Sequence, residues 1–167
     1  MQARNKRERT AYHEAGHVIS AVQLGVPVVR ATIDRKQPHF LRGRYKQSRD
    51  LAIEHLVTVC LAGPAAEEMF CGPITDDGDA VDLRMARSYL EPHYPEFTLG
   101  FQIDRLRGVA ERLVHDAKPT IRLIADALLK HGSLDADQVY ALVTRAPRIR
   151  PVTPDEYGKD YVIGGQR

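Results

Sequence analysis

The stretch Thr10-Ala11-Tyr12-His13-Glu14-Ala15-Gly16-His17 constrains this chain more than any other, because it sets two histidines four residues apart with a glutamate directly after the first. On an α-helix, residues at that spacing stand one turn apart on the same face, so both imidazoles reach a single metal ion. Glu14 falls one step round the helix, where its carboxylate reaches a water on that metal. The pattern supplies two ligands and a general base. Zinc suits neutral imidazoles, and a catalytic zinc site takes three protein ligands with a fourth position open to water. The competing reading is a helix with two merely packed or exposed histidines. Its flanks make the helix itself well defined: Asn5 and Glu8 have capping-box spacing, Ala11, Ala15, Val18, Ile19 and Val22 recur at helical spacing, and Gly25 and Pro27 stop it.

With 167 residues the chain reads as one domain with enough apolar side chains for an ordinary core. A formal net charge of +2 gives no bulk electrostatic reason to expect nucleic acid or an anionic membrane as partner. Cys60 and Cys71 lack C-x-x-C spacing, and Met1 to Arg9 contains no apolar leader core, so reduced thiols and a cytoplasmic location are expected. No apolar run is long enough to span a bilayer, so no membrane insertion is expected. There is no G-x-x-x-x-G-K-[ST] phosphate loop either.

Along the chain, Val28 to Asp34 reads as a short strand with Val29, Ala31 and Ile33 on one side, and Phe40 to Lys46 as its returning partner. Ser48 is positioned to cap a second helix whose apolar stripe is Ile53, Leu56, Val57, Cys60 and Leu61, with His55 off that stripe as a surface residue. Gly63-Pro64 is expected to interrupt this helix or to begin a new one at Pro64. Asp79 reads as the N-cap of a further helix with Asp82 at its third position. Residues 92–100 read as a loop bordering the site. Ile103, Leu106, Val109, Ala110, Leu113 and Val114 mark one amphipathic helix, and Ile121, Ile124, Ala125, Leu128 and Leu129 another, begun near Pro119 and ended by Gly132. Asp135 and Gln138 have capping-box spacing for a last short helix, and His115 and His131 sit near helix ends, where a cation is favoured. Residues 1–146 form the expected domain, followed by a mobile tail over 147–167, rich in proline and glycine. For a third ligand, composition leaves Glu67, Glu68, Asp79 and Asp82 open.

The order of these pieces resembles the peptidase domain of the FtsH-type ATP-dependent zinc metalloproteases. The likeness runs through Thr10 to His17, Leu61-Ala62-Gly63-Pro64-Ala65-Ala66-Glu67-Glu68, and Gly78-Asp79-Ala80-Val81-Asp82-Leu83 with Ala86-Arg87, then more loosely to about residue 145. It implies a mainly α fold, a helical zinc-peptidase domain with a small β-hairpin or sheet near the active site. It also implies Asp82 as the third zinc ligand beside His13 and His17, and Glu67 as an acid that fixes the tautomer of one ligand histidine. Three departures stand out. Val81 replaces the family's asparagine before the ligand aspartate, Ala62-Gly63-Pro64 replaces Gly-Gly-Arg, and the family's ATPase and membrane anchor have no counterpart in the sequence.

The expected activity is that of a zinc metalloendopeptidase: Zn2+ held by His13, His17 and Asp82, with Glu14 as the catalytic general base on a zinc-bound water. The expected substrates are peptides or unfolded polypeptide, held by strand addition to an edge within residues 28–46. Expected partners are a separate ATPase or further copies of the chain. The alternatives are a catalytically weak or inactive peptidase-like module that docks on such a partner, and a metal-free helical interaction domain.

Overall fold

The computed structural model describes residues 5–34, 53–74 and 80–145. Among them lie six α-helices and one two-stranded antiparallel sheet. The first helix, α1 (Lys6–Gln23), begins where its sequence says it should. The Asn5 side chain accepts the Glu8 backbone N–H at 2.9 Å and the Glu8 carboxylate accepts that of Asn5 at 3.1 Å, satisfying two amides that the first turn leaves without helical partners. Its apolar positions Ala11, Tyr12, Ala15, Val18 and Ile19 are buried, and Gly25, at φ +71°, turns the chain out of the helix. Strand β1 (Arg30–Thr32) follows.

Helix α2 (Ile53–Cys71) is the centre of the molecule, contacting α1, α3 (Ala80–Leu90) and α4 (Glu96–Asp116). Being covered on several sides, it is buried around most of its middle, from Val57 to Gly63 and again at Ala66, Glu67 and Phe70. The expected interruption at Gly63-Pro64 does not occur, and the helix runs through Pro64. An interior proline costs a helix about 3 kcal/mol. Burial of the α2 side chains on both sides of Pro64 outweighs that local preference.

A tight turn joins α3 to α4, and here too a helix replaces an expected loop: α4 starts at Glu96, within the stretch 92–100. Pro95, with φ −58° and ψ 144°, occupies the N-cap, and its carbonyl accepts the Thr98 N–H at 2.9 Å. Leu99 then buries itself in the first turns, and an Arg87–Glu96 ion pair ties α3 to α4. The stripe from Ile103 to Val114 is buried as its spacing predicts.

Helix α5 (Lys118–His131), with Pro119 in its first turn and Gly132 at φ +78° after its end, packs on α1. Strand β2 (Ser133–Asp135) leads into α6 (Ala136–Arg145), whose start carries the expected capping box between Asp135 and Gln138. The observed partner of β1 is β2, in the register Arg30 to Asp135, Ala31 to Leu134 and Thr32 to Ser133. The partner read from sequence, 40–46, lies outside the described residues, as do Ser48, Asp79 and the tail 147–167. Of the side read as Val29, Ala31 and Ile33, Val29 is exposed and Ala31 buried. His55 differs from its surface expectation: it is partly buried against the Leu24 backbone, and burial lowers its pKa.

Candidate metal centre

Helices α1 and α2 cross at a distance set by small residues. Gly16 has the Ala62 carbonyl beneath it, where a Cβ would lie 2.3 Å from that oxygen and 2.6 Å from the Ala66 Cβ. At the next residue of α1, His17 lies over Gly63, with 2.3 Å between its Nε2 and a Cβ built on that glycine. The glycines and alanines of the two motifs therefore bring the histidine face of α1 against the backbone of α2.

The crossing fixes both imidazoles by their outer nitrogens. His17 Nδ1 lies 2.7 Å from the Val59 carbonyl, and because a carbonyl only accepts, the Nδ1 proton sits there. His13 Nδ1 lies 3.0 Å from Glu67 Oε2 and donates to that carboxylate. Glu67 is buried, and its other oxygen accepts the Arg9 Nε–H at 2.8 Å. Both Nε2 atoms are thereby turned inward, 3.1 Å apart, with the rings edge to face at 79°.

Asp82, in the first turn of α3, closes the third side. Its Oδ2 lies 3.0 Å from His13 Nε2 and its Oδ1 3.5 Å from His17 Nε2. The three donor atoms all lie within 4.8 Å of one another. For a tetrahedral ion with ligand distances of roughly 2.0–2.1 Å, neighbouring donors stand about 3.3 Å apart. The observed separations bracket that value, and two imidazoles with one carboxylate form a donor set that zinc accepts. The residues present therefore fit a tetrahedral metal ion with one position left over.

Without a metal, the three groups share protons instead. Burial disfavours a charged His13, but hydrogen bonds to Asp82 and Glu67 outweigh it and push the pKa up to about 10. Asp82 is the converse: burial opposes its charge, while hydrogen bonds to His13 and His17 hold it well below the usual carboxylate range. Glu67 is lowered by its bond to His13, against the cost of burial, with Arg9 adding to the same effect. Glu14 is partly exposed and close enough to add to the proton affinity of His13.

The other candidates fall elsewhere. Glu68 is exposed and lines a separate cleft with Leu61, Pro64 and Arg107, on the side of α2 away from the helical face bearing Gly63 and Glu67. Asp79 lies outside the described residues. Cys60 is buried, and that burial, with the Asp82 charge, pushes its thiol up to about 12. Sequence reasoning missed Arg9 and the Val59 carbonyl. Arg9 was within reach of the same rule that found the histidines, since it lies one turn before His13 on the same face. A backbone carbonyl leaves no sequence signal at all.

No family model matches the chain. It is 25% identical over an alignment of 210 residues to "ATP-dependent zinc metalloprotease FtsH 2" of Methylacidiphilum infernorum, with 96% of the chain and 32% of that protein covered. It is also 26% identical over 197 residues to "ATP-dependent zinc metalloprotease FtsH" of Magnetococcus marinus, covering 89% of the chain and 29% of the relative. The similarity is low, but it runs over most of the chain. The chain spans about a third of the length of these curated relatives. Among the described residues, no helix is long and apolar enough to cross a membrane.

Proposed function

We propose that this chain is a zinc-dependent endopeptidase domain acting on peptides or unfolded polypeptide. The observation that carries the reading is the convergence of His13 Nε2, His17 Nε2 and the Asp82 carboxylate, with both imidazole tautomers set from behind by Glu67 and Val59. Similarity to proteins named as zinc metalloproteases supports the same choice of metal and reaction. Bound to these three residues, zinc would supply a Lewis acid that polarises a scissile carbonyl and makes water nucleophilic near neutral pH.

The remaining work falls to the chain's own groups. Glu14 Oε accepts the proton of the attacking water and returns it to the leaving amine nitrogen. Glu67 and the Val59 carbonyl hold the Nδ1 protons of His13 and His17, so that each ring presents a lone pair at Nε2. Asp82 supplies the anionic ligand from a different helix and so completes the set only when α3 is docked. Its relatives are named as ATP-dependent, and a domain of this kind would receive unfolded substrate from an ATPase.

The deciding experiment measures zinc content of the purified chain and cleavage of an unstructured polypeptide, for wild type and Glu14→Gln. About one zinc per chain in both, with cleavage confined to wild type, is the expected result. Zinc in both without cleavage would instead favour a binding module that docks on a partner. Absence of zinc from both would remove the reading.

A further inference from the structure

The Arg9 guanidinium makes four bonds to elements distant in sequence. Its Nε–H meets Glu67 Oε1 at 2.8 Å, its Nη1 the Cys71 carbonyl at 3.1 Å, and its Nη2 the carbonyls of Gly72 and Pro73 at 3.3 and 3.1 Å. We infer that Arg9 is a positioning residue of the metal centre, holding His13 in its ligating orientation through Glu67 while tying down the C-terminal end of α2. The inference rests on the reading of His13, His17 and Asp82 as ligands.

Two physical points carry it. The two oxygens of Glu67 are divided between Arg9 and His13, so neither bond competes with the other. A carboxylate held by one imidazole alone swings about its own side-chain bonds. The planar guanidinium fork removes that freedom and keeps the acceptor where His13 Nδ1 needs it. The other three bonds satisfy carbonyls at and just beyond the C-terminus of α2, where Gly72, at φ +83°, turns the chain out of the helix. One side chain of α1 thus holds both the carboxylate behind His13 and the C-terminal end of the helix that carries it.

A merely architectural clamp would make the same bonds, so the test must read the metal rather than the fold alone. Zinc affinity of the full chain would be measured by competition with a chromogenic chelator, alongside the visible absorption of the cobalt-loaded protein and thermal unfolding of the metal-free protein. The variants are Arg9→Met, Arg9→Lys, Glu67→Gln and the double variant Arg9→Met/Glu67→Gln. We expect Arg9→Met to weaken zinc binding by about tenfold to a hundredfold and to alter the cobalt spectrum. Arg9→Lys, a point charge able to meet Glu67 but not all three carbonyls, should fall between it and wild type. The double variant should lose less than the product of the two single losses, because part of the Arg9 effect passes through Glu67.

Wild-type zinc affinity in Arg9→Met, with only a lower melting temperature, would overturn the inference and leave Arg9 as an anchor. Strictly multiplicative losses would overturn the route through Glu67. If Arg9→Met does not fold, Arg9→Lys decides: severalfold weaker zinc binding with unchanged metal-free melting supports the inference, and wild-type affinity overturns it. A wild-type chain that binds no zinc overturns both this inference and the reading beneath it.

Discussion

The His17 imidazole lies directly over Gly63, so close that a methyl group at position 63 would stand 2.3 Å from Nε2. Gly63→Ala therefore evicts the ring from its place beside His13. The backbone here is helical and the crowding atom belongs to a side chain, so the ring moves before the helix does. Zinc affinity should fall by at least tenfold while circular dichroism stays helical. Gly16→Ala behaves differently, because its new methyl meets the Ala62 carbonyl and Ala66. It forces the helices apart and should cost about 1–3 kcal/mol of stability in denaturant titration.

Glu14→Gln separates ligation from proton transfer. The amide keeps the shape and removes the base, so zinc content should stay near one per chain while the rate of peptide cleavage falls by at least about a hundredfold. Equal cleavage by wild type and variant would assign the base to another group.

The metal-free protein should lose stability on the alkaline side. His13 has its pKa raised from 6.5 to about 10, so the stability it contributes is complete below pH 6.5 and is lost as pH rises through about 10. Asp82, lowered from 3.8, contributes above that value and loses its contribution only as pH falls through its depressed pKa. Denaturant midpoints of the chelator-treated chain should therefore decline between pH 6.5 and 10. Asp82→Asn, which removes a partner of the imidazolium, should flatten that decline. Zinc competes with the same proton, so its binding should tighten as pH rises over that interval.

Thiol chemistry offers an independent check of packing. Burial pushes Cys60 up to about 12, while Cys71 at the end of α2 is only partly buried. At pH 8, alkylation followed by mass spectrometry should label Cys71 in the folded chain and Cys60 only after unfolding. Rapid labelling of Cys60 under native conditions would contradict the packing of α2.

What could be read from sequence was local. The start of α1 is written in Asn5 and Glu8, its end in Gly25, and its buried face in the recurrence of alanine and aliphatic residues. The same holds for the α4 and α5 stripes and for the capping box before α6. Where the reading failed, a distant contact had overruled a local preference. Pro64 stays inside α2 because three other helices bury the side chains on either side of it. Residues 96–100 are helical because Pro95 caps them and Leu99 is buried, and β1 finds its described partner a hundred residues on, at 133–135. The site divides along the same line. His13 and His17 are four apart on one helix, a spacing visible in any sequence. The approach of Asp82, the pairing of Glu67 with His13 and the bond of Arg9 to Glu67 each join two helices. Helical spacing puts Arg9 on the histidine face without naming its partner, and the roles of Asp82 and Glu67 come only from the family resemblance.

Helix α1 packs against α2 on one side and α5 on another, and β1 beyond it pairs with the strand that follows α5. For a chain leaving the ribosome this imposes an order of events. The segment through Leu90 already contains His13, Glu14, His17 and Asp82, yet the flank of α1 that α5 covers would still face water, and the sheet would lack its second strand. A protein truncated after Leu90 should therefore carry every donor atom without forming the centre, which its soluble expression and zinc content would reveal. On the proposed reading, the metal centre is therefore a late product of synthesis: its donors are all present by Leu90, but the packing that holds them together waits for α5 and the strand at 133–135.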